Sequence, residues 1–509
     1  MGGIGKLFAA GLSLIGVLAA AADAQAQSSR EPVRYRLTPV MKAAALSHMV
    51  VEVRFRGDAD GETRFRLPEK WAGSDNLRSA LSNFRVTGAK WSEDTTGLIL
   101  RHRPRAPLTV RYRVNTAHRT DPDLKYEKAR PVIRPGWFLL TGEGVFGVPE
   151  IPSPAAAAFS WGPLPKGWKV ASDLDHLARE RPGTVDDVIE SVSIGGRDLT
   201  VVERRLGGKR IRIAGRGNWP FALSEFSRRM LRIIEAQNRY WRDPGRPFLV
   251  VVAPLSGGTA TSWSVHGTGR TDAFALASTT NQPLKDLVQL LSHESMHSWI
   301  GREIGGPLPK DEALGYWLSE GFDDYLSGRI LLHTGDWTIN DYVDYLNRVL
   351  RRYARSSARN VANREIPEKF WSDSAVGQIP YDRGHLFALL IDGELRRRSG
   401  GKVTLDDILL AQQARAQADR ERGTVTPAAL LFPITVREQA GLDISALLDR
   451  YIERGETIIL PEDLFGPCAR IETRSQSGNA VQQLVLSPAT TGELKDECRA
   501  RMAGAEPKS

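Results

Sequence analysis

The chain has 509 residues, 41% of them apolar and 25% charged, with 69 basic groups against 60 acidic ones and a net charge of +9. That balance fits about three globular domains and excludes collagen-like, coiled-coil and wholly disordered proteins. The basic excess is spread among acids, and no zinc-knuckle, RNA-recognition or helix-turn-helix pattern accompanies it. It therefore reads as a solvated surface, and no nucleic-acid partner is expected.

The first 26 residues stand apart. Lys6 gives a positive start, Leu7 to Ala22 is apolar and alanine-rich, and Ala24-Gln25-Ala26 forms an A-x-A cleavage site. This is the pattern of a secretory signal peptide. The apolar run is short for a membrane span, and no later window reaches about 18 apolar residues. The expectation is an exported protein, periplasmic or secreted, without stable membrane insertion after cleavage. Cys468 and Cys498 are the two cysteines. In an oxidising compartment they can close one disulfide across the C-terminal tail; the alternative is two free thiols.

From Val33 to about Val202 the texture is that of strands. Val50 to Arg56, Thr63 to Leu67 and Leu108 to Val114 alternate apolar with polar or charged residues, with turn residues such as Gly57 to Gly61 between them. Period-two alternation marks half-buried strands, and an antiparallel sandwich fits best. The texture changes near Gly215. Leu223 to Tyr240 has helical periodicity, Pro247 to Val252 reads as a buried strand, and Ser256 to Thr271 is rich in Gly, Ser and Thr. Helices dominate from Pro283 to about Leu350, and continue over Asp341 to Tyr353, Gly384 to Arg398 and Thr404 to Gln417. After about Asp463 the chain is polar and weakly patterned. The expected division is a signal peptide (1–26), an N-terminal β-rich domain (27–214), a catalytic domain (215–400), a C-terminal helical region (401–465) and a polar tail (466–509).

Leu287 to Ile304 contains His293-Glu294-Ser295-Met296-His297, an H-E-x-x-H motif. Pro283 suits the start of a helix and Gly305-Gly306 its end. Residues four apart on a helix differ by about 40° in azimuth and about 6 Å in rise. Both imidazoles can thus reach one metal ion at about 2.0–2.1 Å. Glu294 lies beside that face, where it can deprotonate a water without being a ligand. A third ligand is available in Glu320, from Trp317-Leu318-Ser319-Glu320-Gly321-Phe322. The intervening glycines and prolines (Gly305, Gly306, Pro307, Pro309) let a second helix fold back on the first. Asp324, one turn beyond Glu320, is the candidate to accept the other N–H of His293. Asp323 is expected to point elsewhere, into solvent. His48, His102, His118, His176, His266, His333 and His385 show no ligand spacing, although His266 and His385 are candidates to line a cleft.

H-E-x-x-H followed by W-L-S-E-G-F-x-x-Y resembles the gluzincin metallopeptidases, which include thermolysin, the aminopeptidase N family and the glycyl aminopeptidase family. The last is closest in texture. Ile379-Pro380-Tyr381-Asp382-Arg383-Gly384, Leu386 to Gly401 and Leu405-Asp406-Asp407-Ile408 resemble its pattern, as do Phe65-Arg66-Leu67-Pro68 with Trp71 and Pro165 to Val170. The resemblance implies a thermolysin-like α+β catalytic domain, one Zn2+ ion on His293, His297 and Glu320, and a peptide or protein substrate cut by a metal-activated water. It also implies that Tyr381 donates to the oxyanion of the tetrahedral intermediate. Two departures stand out. Gluzincin aminopeptidases usually carry a glutamate for the substrate's α-amine on a Gly-rich strand, whereas Gly257 to His266 holds no acid. About 40 residues follow the helical region, too few for the PDZ domain common in this family. The expected function is a zinc-dependent, aminopeptidase-like peptidase. The alternatives are an endopeptidase of the same fold, or a non-catalytic exported binding protein that keeps its zinc. The oligomeric state is not legible.

Overall fold

In the computed structural model, residues 31–117, 120–151, 155–177, 183–476, 479–492 and 494–504 are described. Residues 1–26, where a signal peptide is expected, and His118 lie outside them. The chain divides into two units that interleave in sequence. Among the described residues, the first comprises those within 31–117, 129–167 and 174–191, and the second those within 120–128, 168–173 and 192–504.

Alternation builds the first unit. Strands Val33–Lys42, Ala45–Arg56, Pro107–Val114 and Leu81–Thr87 are antiparallel neighbours in a six-stranded sheet. Val51, Val53 and Phe55 are buried while Arg54 and Arg56 between and beyond them are exposed. One pair departs from the antiparallel expectation. Ala156–Trp161 joins Val33–Lys42 in parallel, with partners Val33 and Ala157 set 124 positions apart (157 − 33), so the sheet is mixed. Alternation reports which face is buried, not which way a neighbour runs; a parallel neighbour needs only a long connection. A second sheet contains Glu62–Arg66, Gly97–His102 and Ala89–Glu93, with Val148–Pro149 at its edge. Its Phe65 stacks on Phe55 of the first sheet at 5.9 Å and meets Tyr112 edge-on at 6.5 Å. Aromatic pairs of this kind add about 0.5–1.5 kcal/mol beyond the area they bury.

The second unit is built on five strands: β1 (Thr200–Leu206), β2 (Lys209–Gly215), β3 (Phe248–Leu255), β4 (Val265–Gly269) and β5 (Ala273–Thr279). Their spatial order is β1-β2-β3-β5-β4. The three central strands are parallel, and β1 and β4 run antiparallel to their neighbours at the edges. β3 and β5 are buried almost throughout, which is why they read as continuous apolar runs. Helix α1 (Leu223–Tyr240) makes the crossover from β2 to β3.

The helical half follows: α2 (Leu284–Met296), α3 (Gly321–Thr334), α4 (Ile339–Arg355), α5 (Ser374–Ser399), α6 (Leu405–Glu421) and α7 (Ala428–Ala440). Two boundaries differ from expectation. Regular helix α2 stops at Met296 rather than at Gly305, because Gly301 takes a left-handed φ of 84° and Trp299, Ile300 and Ile304 turn into the core. α5 starts ten residues before Gly384 and carries Pro380 inside it. Proline reads as a break, yet here the helix start is fixed upstream by Asp373, whose carboxylate accepts from the amides of Ala375 (2.9 Å) and Val376 (3.3 Å).

The weakly patterned C-terminal segment is folded. Strands β6 (Ala469–Gln476) and β7 (Asn479–Leu486) form a hairpin, and α8 (Lys495–Ala503) follows. Asn347 of α4 grips Leu484, donating to its carbonyl at 3.0 Å and accepting its amide at 2.7 Å. Cys468 and Cys498 are bridged, with Cα atoms 5.3 Å apart. Closing a loop of 30 residues stabilises by about 3–4 kcal/mol in the chain-entropy account. No helix among the described residues is long and apolar enough to cross a membrane.

Candidate metal centre

Three helices bring the sequence motifs together. α2 buries Leu284, Leu287, Val288 and Leu291 in the core and carries His293 and Glu294 in its last turn, with His297 just past its end. Glu320 stands between the short helix Tyr316–Ser319 and α3, and Asp323 and Asp324 occupy the first turn of α3. α5 crosses α3 at a glycine pair. A Cβ on Gly321 would lie 2.3 Å from the Cα of Gly384, and a Cβ on Gly384 would lie 1.9 Å from the carbonyl oxygen of Trp317. The absence of side chains at this crossing lets Tyr381, one turn upstream of Gly384, approach the histidines. Its ring lies 6.0 Å from that of His293, tilted by 30°.

The two imidazoles are nearly perpendicular, with centroids 4.8 Å apart. Their Nε2 atoms converge on one oxygen: Glu320 Oε2 is 3.2 Å from His293 and 3.7 Å from His297. Donors held about 2.0–2.2 Å from a shared tetrahedral ion stand about 3.3 Å apart, so this spacing fits a metal. The Nδ1 atoms face the other way. His293 Nδ1 is 3.0 Å from Asp324 Oδ1 and 3.4 Å from Asp323 Oδ1, and His297 Nδ1 is 3.4 Å from Asp323 Oδ2. Asp324 thus sits where the sequence places it. Asp323 does not: it is 0% exposed instead of solvated. Residues three and four apart share a helix face, so the face that carries Glu320 and Asp324 also carries Asp323.

His293, His297 and Asp323 can themselves offer three atoms within 4.8 Å of one another. A catalytic ion needs an open position. The Asp323 side is sealed, whereas the side chains of His297 and Glu320 retain 19% and 15% exposure. Tyr381 hydrogen-bonds to the Glu320 carboxylate, and Glu294 interacts with both Tyr381 and His297.

Electrostatics agree with a cation site. Burial alone would raise the Glu320 carboxyl, but His297, His293 and Lys128 hold it at about 2. Burial raises the Tyr381 phenol, and the Glu320, Glu294 and Asp324 carboxylates raise it further, so it stays a protonated donor at neutral pH. Burial would likewise raise Asp324, but its hydrogen bond with His293 and the charge on that ring keep it low. Three supporting side chains were not legible in the sequence. Gln289, one turn before His293, donates to Asp324 Oδ1 at 2.8 Å. Ser327 donates to Asp323 Oδ1 at 2.9 Å. Lys128 Nζ, from a distant segment, donates to the carbonyl of Gly267 at 3.3 Å.

β4 lies against α2. A Cβ on Gly267 would stand 1.8 Å from Glu294 Oε1, and one on Gly269 would stand 2.6 Å from His297 Cδ2. The glycines that matter therefore fall just beyond the Gly257–His266 stretch singled out in the sequence, most of which is loop. His266 is on β4, with Nε2 2.8 Å from Ser264 Oγ. His385 is core: it is fully buried, with the rings of Tyr325 and Tyr345 at 5.9 and 5.7 Å.

Residues 286–371 match the family model of the M61 glycyl aminopeptidases. The fold resembles that of an aminopeptidase N family protein from Idiomarina loihiensis, with TM-score 0.71, 18% identity and coverage of 87% of this chain and 79% of that one. It also resembles an M1 zinc metallopeptidase from Deinococcus radiodurans, with TM-score 0.55, 16% identity and coverage of 85% and 96%. A mutant of the Deinococcus enzyme, bound to a Tyr-Ser-Ala substrate, matches with TM-score 0.53 and 16% identity. No curated protein matches the chain.

Proposed function

We propose that this chain is a zinc-dependent, aminopeptidase-like peptidase of the gluzincin type. The observation that carries the reading is the convergence of His293 Nε2, His297 Nε2 and Glu320 Oε2, with Glu294 and Tyr381 on the same side. These three residues would hold the ion, which when bound lowers the pKa of a water and polarises a carbonyl. Glu294 takes the proton of the attacking water and returns it to the leaving amine. Tyr381 donates its hydroxyl to the oxygen on which negative charge develops. Asp324 holds the His293 ring by Nδ1, so that Nε2 faces the site. The finer architecture belongs to the same reading: an N-terminal β-sandwich with one parallel pair, a thermolysin-like catalytic domain that begins with β1 and β2 rather than at residue 215, and a helical region over 401–465 followed by the hairpin and α8. So does export to the periplasm or medium, directed by residues 1–26.

Within this chemistry, endopeptidase action is favoured by one feature. No residue from Gly257 to Gly269 is acidic, and the ammonium of Lys128 sits on the Gly267 carbonyl. Selecting a free α-amine calls for a carboxylate partner. A peptide library digested with and without a chelator, in free-amine and N-acetylated forms, tests both points. Chelator-sensitive cleavage is expected. Loss on acetylation marks an aminopeptidase, and its retention marks an endopeptidase. No chelator-sensitive cleavage of any peptide would leave the non-catalytic binding protein.

The approach of β4 to α2 gives a second expectation. Gly267→Ala should lower kcat/KM by about 100-fold, the scale of a displacement near 1 Å, because the new methyl must push Glu294 aside. Zinc content should be unchanged, since no ligand is touched. Steady-state kinetics with metal analysis checks both, and wild-type kinetics would show that the strand yields instead.

A further inference from the structure

We infer that Asp323 is a positioning residue for both metal-binding histidines, acting as one carboxylate shared between their Nδ1 atoms. The inference rests on the metal centre proposed above and adds a group to it. Asp323 is sealed from solvent. Its two oxygens are divided between the rings: Oδ1 faces His293 Nδ1 and Oδ2 faces His297 Nδ1, each at 3.4 Å. Ser327, one turn further along α3, fixes the carboxylate by donating to Oδ1 at 2.9 Å. Oδ2 makes no hydrogen bond among the described residues, and His297 Nδ1 stands 3.4 Å from it. A carboxylate oxygen buried without a bond is costly. The His297 ring is the donor placed to meet it.

Asp324 does not duplicate this role. Its Oδ1 is taken up by His293 and by Gln289. His293 Nδ1 is thus hydrogen-bonded to Asp324 and 3.4 Å from Asp323, and Asp323 is the carboxylate that faces Nδ1 of His297. A ring whose Nδ1–H is committed behind the site presents its Nε2 lone pair in front. One turn of α3 then does two jobs. Glu320 meets the histidines from the front, and Asp323, three residues on, holds them from behind. Because Glu320 immediately precedes α3 and Asp323 lies in its first turn, a shift of α3 moves the ligand and the clamp together.

The test is zinc affinity of the full-length protein, measured by competition with a chelator after metal removal. Asp323→Asn keeps the shape and removes the charge; its Kd for zinc is expected to rise 10–100-fold, the usual cost of losing a group that orients a ligand. The thermal midpoint of the metal-free protein should stay close to wild type, and the absorption of bound cobalt(II) should keep its four-coordinate form. Glu320→Gln, which alters a ligand, should change that spectrum. Wild-type affinity in Asp323→Asn overturns the inference. A cobalt spectrum that changes as in Glu320→Gln also overturns it, by making Asp323 a ligand. If Asp323→Asn does not fold, Ser327→Ala decides: threefold or greater weakening supports the clamp, and unchanged affinity rejects it. A wild-type chain that takes up no zinc removes the metal centre, and the inference with it.

Discussion

Glu294→Gln should leave zinc bound and lower kcat by roughly 10²–10⁴-fold, the range for removing a positioned general acid–base. The argument is one of shape against chemistry. Glu294 contributes no atom to the convergence of His293, His297 and Glu320, so the metal does not depend on it. Its carboxylate is wedged under β4, at the place where Gly267 has no side chain to spare. Glutamine fills the same volume, so neither strand nor helix needs to move. What it cannot do is accept a proton from water and hand it on. The loss should therefore appear in kcat, with KM little altered. Metal analysis and steady-state kinetics on one preparation suffice. A variant within tenfold of wild type would mean that another base serves, and the mechanism would fall.

Much of this site was legible because its chemistry is local. His293 and His297 are placed by helix geometry alone, and Glu320 needs only a loop long enough to turn back. The alternating segments Val50 to Arg56 and Leu108 to Val114 report a buried face directly, and both are strands. What stayed hidden depends on contacts between distant parts. The pairing of Val33–Lys42 with Ala156–Trp161 leaves no mark on either segment. Gly267 and Gly269 are glycines because a helix lies beneath them, and nothing in their own stretch says so. Lys128 reaches Gly267 across 139 positions. Asp323 was misjudged for a different reason. Its spacing from Glu320 is as favourable as that of Asp324, and only packing shows that both carboxylates face the imidazoles. Pro380 shows the converse: a strong local signal for a break, overridden by a capped helix start and tertiary packing.

Asp406→Asn should cost about 3–5 kcal/mol of stability, because it strands a buried arginine. Arg329, in the middle of α3, is bound at two points by Asp406 of α6: Nη1 to Oδ1 at 2.8 Å and Nη2 to Oδ2 at 2.6 Å. Tyr240 of α1 donates to the same carboxylate at 2.8 Å, and Arg329 Nε donates to the carbonyl of Ala503 in α8 at 3.0 Å. One ion pair thus joins four helices around the element that carries Glu320 and Asp323 at its other end. Burial would raise Asp406, but Arg329, by charge and by hydrogen bonds, holds it below the ordinary carboxylate value. A carboxyl lowered on folding stabilises above its unfolded pKa, and that stabilisation is lost as pH falls through the folded value. The gap between wild type and Asp406→Asn should accordingly be full at neutral pH and narrow below about pH 4. Denaturant unfolding at pH 7 and at pH 3 measures both limits. A gap below 1 kcal/mol at pH 7 would show that the arginine finds water or another acceptor. The zinc affinity of the folded variant should change far less than that of Asp323→Asn, since Arg329 touches neither histidine. Comparing the two variants separates what keeps α3 in place from what aims the rings.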